Sequence, residues 1–418
     1  MLWWRTSATL LLFWVSVNSL GSLAQADTHT VQPGDDPQAV LDRAAAGDEI
    51  IFASGLHQHR LGKHRSLLYV DKPITIELKR GAVLKLADGE TQLEAEPEIT
   101  IDHGAPKKLN DLEVGGEFDL TTGPIIFRVQ IDGEGKDGQS DTFEWSAGDV
   151  WEASRGTKVP ITGDWQPLAH GVAIRFDSTT GHNRGSLWFL SYDGPEAYGI
   201  RIGHGTQLEY VENVRIVGDG TIDMNRSNNI VPSGLVKNIN ACVLVHGRVR
   251  GVHIEGITMT DTMRSVMLYG EHTGEFLRGG DVGPGESFDA EDITIVYTRT
   301  LNPHGAAYLL GHPSHRGHLR NVRCNFNYMV TGKTALEPNF QLDQYQVIGN
   351  IIKSDGQAIH CWRKSTNGVV QDNIRIDDNT GKPVVVVNSP GAWEDPENIS
   401  LRNNRNHLSD RVTSGKAE

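Results

Sequence analysis

Cysteine is nearly absent from this chain: three in 418 residues (Cys242, Cys324, Cys361), widely separated and with no CxxC pair. That excludes a disulfide framework or a cysteine-built zinc site and leaves three small side chains suited to burial. Neither a glycine-rich phosphate loop with its lysine nor an HExxH pair occurs, so nucleotide and zinc-peptidase chemistry have no carrier. Positive charge is in deficit, with 39 Lys+Arg against 53 Asp+Glu and a net charge of -14. Such a chain is unsuited to nucleic acid, and an anionic substrate would need a local basic groove. Long apolar runs are confined to the first residues. There Arg5 is the only charge, LLLFWVSV is an apolar core and Ala24-Gln25-Ala26 offers small residues for cleavage, which together read as a secretory signal over 1–26. The apolar run is short and interrupted for a membrane span. The expectation is a secreted or periplasmic chain with no span after signal removal, beginning near Asp27; losing Arg5 takes the charge from -14 to -15.

What is present is repetition. From Val252 to Ser389 one short phrase is written five times: VHIEGITMTDTMRSVMLYG, ITIVYTRTLNPHGAAYLLG, LRNVRCNFNYMVTGKTALEPN, YQVIGNIIKSDGQAIHCWRKS and VVQDNIRIDDNTGKPVVVVNS. Each copy has an alternating β-rich segment, a small or polar break (Gly332, Gly356, Gly381) and a second short strand. Repeats of this length mark a stack in which no single copy buries its own apolar face. With no helical periodicity, the stack should be a parallel β-solenoid, whose flat outer sheets suit the binding of a polymer.

Ahead of the repeats, Asp35 and Asp36 before Pro37 start a short helix over Gln38–Ala46 that Gly47 ends, and EIIFAS follows as a strand. A solenoid needs its open first coil covered, and this helix is placed to cap it. The phrases QPGDDPQAVLDRAAAGDEIIFASG and ENVRIVGDGTIDMNRSNN resemble those of pectate-lyase-like proteins. That resemblance covers roughly residues 30–110 and 198–408 and implies an all-β, right-handed parallel β-helix acting on a polysaccharide. Between them the composition changes: Trp145, Trp151, Trp165 and Trp188 fall among alternating strands and Gly/Asp/Asn turns, which predicts an inserted antiparallel β-sandwich. This stretch, DTFEW…GH..G..W, resembles a small β-module of bacterial and phage extracellular proteins. The expected organisation is signal 1–26, cap and first coils 27–115, inserted module 116–197, main β-helix 198–408 and a disordered tail 409–418. The Gly- and acid-rich stretch 270–292 and the PSHRGH loop are expected to flank the working face.

Stacked in register, the copies put Arg264, Lys333, Gln357 and Lys382 just after the break, with His304-Gly305 in the second copy. Alternation then sends Val266, Leu268, Ala307, Leu309, Ile359 and Cys361 inward, and Met267, Tyr308, His360 and Trp362 outward, with Arg363 and Lys364 at the strand end. The third copy, GKTALEPN, is ambiguous by one residue; keeping its charges out of the core turns Lys333, Ala335 and Glu337 outward. Asn321, Asn325, Asn327, Asn350, Asn373, Asn398 and Asn403 are assigned to ladders at the turns, and His312, His315 and His318 to a solvated loop.

The expected surface therefore joins Arg264, His304, Tyr308, Lys333, Glu337, His360, Trp362 and Arg363, on rungs about 4.8 Å apart. It is basic and aromatic on an acidic protein, as an acidic polysaccharide would require. Cleavage of a uronic-acid chain by β-elimination needs the carboxylate neutralised, a base for the C5 proton and an acid for the leaving oxygen. Arg264 or Arg363 is assigned the first role, Lys333 or His360 the second and Tyr308 the third, while Trp362, Arg363, His304 and Glu337 bind substrate. The resemblance also implies Ca²⁺ in some lyases of this fold; Glu337, Asn339 and Asp343 in EPNFQLD are the oxygen ligands at hand, although no motif fixes a site. Three alternatives stay open: a glycoside hydrolase using paired carboxylates among Asp261, Glu337 and Asp343, a C5-epimerase sharing the proton abstraction, and a non-catalytic adhesin. The NTD, DD, GHG and RIK phrases of polygalacturonase-like proteins do not occur in order.

Overall fold

The computed structural model describes residues 26–406 apart from 90–98, 105–108, 110, 118–124, 137, 148–153, 193–196, 205–206, 208, 230–239, 271–289, 312–317, 340, 363, 377–382 and 389–394. The expected signal, most of the acidic loop, residues 312–317 of the histidine-rich loop, Arg363, Lys382 and the tail lie outside the described residues.

The chain winds into a parallel β-helix with three strands per coil, one more than the repeats suggested. Sheet I runs from Thr28–Val31 to Ser400–Arg402, sheet II from Gly55–His59 to Arg405–Asn406 and sheet III from Ser66–Val70 to Val385–Val387. Pairing is in register from coil to coil: Ile254 lies opposite Ile295, which lies opposite Cys324, then Val347. Alternation along each strand sends these residues inward, where Ile293, Ile295, Val322, Cys324 and Val347 are buried in one continuous interior. Burying a Val, Leu or Ile stabilises by about 1.5–3 kcal/mol. No coil could gather that burial alone, because each supplies only one layer. All three cysteines are free and buried in this interior. Burial raises their thiols, that of Cys361 to about 12.

Sheet III corrects the expected register. Ala307, Tyr308 and Leu310 lie in the interior, and Leu309 faces out beside Met267. Two successive residues point inward because the chain bends into the sheet there. The same bend recurs at Ala335-Leu336, Ala358-Ile359 and Val384-Val385. Tyr308 therefore matches Leu336 and Ile359, and reading AAYLLG one residue out of phase had exchanged its faces. In the third copy Ala335 is buried, while Glu337 faces out and Lys333 is exposed at the turn.

At the corner between sheets I and II, Asn327, Asn350, Asn373 and Asn404 form a buried ladder. Asn327 N donates to Asn350 Oδ1 at 2.9 Å and Asn350 N to Asn373 Oδ1 at 3.0 Å, while the Asn350 amide donates to the Cys324 carbonyl at 2.8 Å. The position before the ladder is left-handed in every coil from Gly256 to Asn403, including Tyr297 and Phe326. Asn404 continues the ladder where Asn403 was expected; Asn403 occupies the left-handed turn instead.

Helix α1 (Pro37–Arg43) is shorter than expected and starts at Asp36, whose side chain accepts from Gln38 N and Ala39 N. It packs on strand Ser66–Val70, and Gln38 is bonded at both ends to the Tyr69 backbone, at 2.7 and 3.2 Å.

A five-stranded and a three-stranded antiparallel sheet interrupt the stack. Their strands start at Ile99–Gly104 and Leu112–Gly116, upstream of the expected boundary at 116. They enclose a separate core containing Phe127, Phe143, Phe176 and Trp188. Trp145 packs against that core, while Trp165 stays 47% exposed. His182 is buried with its ring nitrogens 2.9 Å from Asp141 and 3.0 Å from Asp111, joining three segments of this module.

Candidate functional site

The expected surface does not assemble as one ribbon. Tyr308 is fully buried, its hydroxyl bonded to Thr298, and burial raises it well above the usual phenol range. It is therefore no acid for a substrate on the outer face. Lys333 and His304 are exposed in turns between sheets II and III. Burial and nearby Arg226 depress His304, with Asp261 opposing them. Arg264 is half-buried at the start of its strand, against Gly305.

Glu337, His360 and Trp362 do come together on the outer face of sheet III. Leu336 pairs with Ile359, so Glu337 stands beside His360. The His360 ring stacks on Trp362 at 5.0 Å and 11°, and its Nε2 is 2.8 Å from Asn388 Oδ1. The carboxylates proposed for hydrolysis separate. Asp261 follows a sheet II strand and binds Ser227, Glu337 faces out of sheet III, and Asp343 enters sheet I, where it accepts from Thr366 and Asn367.

A second group lies upstream on the same outer face. Tyr69 pairs with Arg201, which pairs with Leu244, and on the next outward position His246 pairs with Tyr269. Arg201 is buried; its guanidinium donates to the His64 carbonyl at 2.9 Å and meets His246 Nδ1 at 3.3 Å. An arginine can only donate, so Nδ1 of His246 is the acceptor and its proton sits on Nε2. The His64 ring lies 4.1 Å from Tyr69 and stacks on His204 at 5.1 Å and 17°. Exposed Lys63 holds its ammonium 4.5 Å over the Tyr69 ring.

Local sequence explains how these groups are held. Gly62-Lys63-His64-Arg65 makes a tight turn into sheet III, closed by Gly62 N to the Ser66 carbonyl at 2.9 Å and by Ser66 Oγ to the Lys63 carbonyl at 2.7 Å. His64 and Arg65 are left-handed, at φ 50° and 53°, a conformation that costs non-glycine residues on the order of 1 kcal/mol each. The Arg201 bond to the His64 carbonyl helps fix that strained turn. His204 is placed by the next turn, where its N–H donates to Gln207 Oε1 at 3.0 Å. Burial, with the charges of Arg201, Lys63 and His246, brings His64 down to about 3. Its imidazole is therefore neutral at ordinary pH.

Sequence reasoning missed this group because its members, Tyr269 apart, lie outside the five clear copies. The phrases GKHRSLLY, IRIGHG and VLVHGR each carry a histidine beside a strand of sheet III, and those histidines were the available signal. His64 falls just before Ser66–Val70, His204 just after Ala197–Ile202 and His246 at the end of Asn240–His246.

No protein-family model and no curated protein matches the chain. Among solved structures it is similar to a polygalacturonase from Erwinia carotovora ssp. carotovora, at 10% identity over 92% of this chain and 93% of that one, with a TM-score of 0.35. It is also similar to the A-module of the mannuronan C-5 epimerase AlgE6 from Azotobacter vinelandii, at 10% identity over 90% of this chain and 95% of that one, with a TM-score of 0.23. Both likenesses are faint; the parallel β-helix is read from this chain's own sheets.

Proposed function

We propose that the protein is an exported enzyme that cleaves a uronic-acid-containing polysaccharide by β-elimination, at the upstream group on sheet III. The observation that carries this reading is a neutral, buried His64 set against Tyr69 beneath the exposed Lys63 ammonium. The three supply the three roles the reaction needs.

Lys63 pairs with the substrate carboxylate and so acidifies the C5 proton. His64 takes that proton, and the electron pair forms the C4–C5 double bond as the C4–O bond breaks. The Tyr69 hydroxyl protonates the departing oxygen. A proton returned from His64 to Tyr69, whose rings lie 4.1 Å apart, resets the pair. Arg201 acts as a positioning residue, holding the His64 backbone and orienting His246. In this scheme the ammonium supplies the charge that Ca²⁺ would otherwise bring, so turnover persists in a chelator.

The test is a panel of alginate, pectate and hyaluronan read by ultraviolet absorbance and by reducing ends. The expected result is absorbance on at least one polymer, matched by an equal number of reducing ends. Reducing ends without absorbance would move the reading to hydrolysis. An altered C5 configuration with neither signal would mean reprotonation instead of elimination, and no change on any polymer would leave a binding protein.

A further inference from the structure

We propose a second sugar-binding site at the corner between sheets I and II, which takes one pyranose ring of a glycan against Tyr297. This corner does not border sheet III, so the inference goes beyond the proposed activity and does not rest on it.

Tyr297 and Phe326 occupy equivalent turn positions in successive coils, with φ of 55° and 58°. Bulky residues rarely adopt this conformation, and the neighbouring coils use Gly256 and Gly349 there. Burial offers no return for the strain, since Tyr297 is 58% and Phe326 51% exposed. Their rings stack at 5.6 Å and 14°. Phe326 in turn leans over Gly349, where an added Cβ would meet its ring at 2.6 Å. The pair is thus backed on one side, and the remaining face of Tyr297 looks along the stack toward Gly256.

A ring stacked on that face would sit about one rung away, roughly 4.8 Å. That places it over Gly256, which has no side chain of its own and lies against the Gly218 backbone. Polar groups flank the space. Arg299, on the same coil as Tyr297, reaches back past Thr258 to within 3.9 Å of Asp219 Oδ1, and Asp219 Oδ2 accepts from Arg80 Nε at 2.8 Å. Asp219, Arg299 and Arg80 are 44%, 61% and 88% exposed, so both signs of charge remain accessible. An aromatic wall, a glycine floor, and a carboxylate beside guanidinium groups match the apolar face and the hydroxyl rim of a pyranose.

Migration of the full chain in native gels cast with alginate, pectate or dextran tests the site. Wild type should be retarded by at least one polymer. Tyr297→Asn, which removes the ring but tolerates the left-handed backbone, should weaken that retention about tenfold, while Tyr297→Phe keeps it. Asp219→Asn should weaken it less. Absence of retardation in all three polymers overturns the proposal, as does equal retardation of wild type and Tyr297→Asn. Sedimentation of the same samples supplies a further contradiction: a wild-type dimer that Tyr297→Asn disperses, with no polymer binding, would mean that the ring pair joins two copies of this chain.

Discussion

Two groups of side chains share the outer face of sheet III, on columns that run from Arg201 through Leu244, Met267, Leu309 and Glu337 to His360. Five rungs separate their ends, about 24 Å at the usual strand spacing. Upstream, His64, Tyr69, Arg201 and His246 are buried and set by a left-handed turn. Downstream, Glu337, His360 and Trp362 are half-buried, and His360 is held by ring stacking and by Asn388. Both have the residue types that proton transfer to and from a sugar requires. Upstream, the surrounding structure removes water from the His64 imidazole, holds it neutral and braces it against a tyrosine. Composition alone cannot separate two such groups; depth and backbone strain can.

Substitutions should sharpen this contrast. The largest effect is expected at Tyr308, the residue whose register decides which side chains reach the outer face. Tyr308→Ala empties a fully buried site and should cost about 3–5 kcal/mol in denaturant unfolding. A loss below 1 kcal/mol would return Tyr308 to the surface.

His64 comes next. Its folded value lies near 3 and its unfolded value near 6.5, so the unfolded chain takes up a proton in that interval while the folded chain does not. The corresponding stability is present above about pH 6.5 and is lost as pH falls toward 3, by about 3 kcal/mol down to pH 4. His64→Gln should therefore flatten the stability profile between pH 6.5 and 4, whereas His360→Gln should leave it steep. Identical profiles for the two variants would erase the distinction.

Asn350→Ala breaks the ladder at the corner of the downstream coils, leaving the buried Asn327 N–H and Cys324 carbonyl unsatisfied. It should cost about 1–3 kcal/mol. The smallest effect is expected downstream: Trp362→Ala removes a half-exposed ring, and a loss of thermal stability comparable to that of Asn350→Ala would show that this group is as firmly built as the other.

The architecture was legible because Val, Ile and Leu alternate through five aligned copies, and a sheet with one buried face must repeat that pattern. The third strand of each coil was less visible, since segments such as Tyr308–Leu310 and Ile359–Cys361 are only three residues long, too short for alternation to declare its phase. Tyr308 was misplaced for that reason: Ala307 and Tyr308 both turn inward at a bend, which no period of two anticipates. The upstream group was hidden differently. Its members are separated by the whole inserted module, so that Tyr69 and Arg201 become neighbours only after the chain has left the stack and returned. Glu337 and His360, one copy apart, were brought together by counting.

The initial rate of unsaturated-product formation by wild type, His64→Gln and His360→Gln, measured on whichever acidic polysaccharide the wild type cleaves, tests the central claim most directly. Loss of a positioned base predicts a fall of about 10²–10⁴-fold for His64→Gln, with His360→Gln staying within about fivefold of wild type. A His64→Gln enzyme that keeps its rate while His360→Gln loses it would contradict the account and return the chemistry to the downstream group.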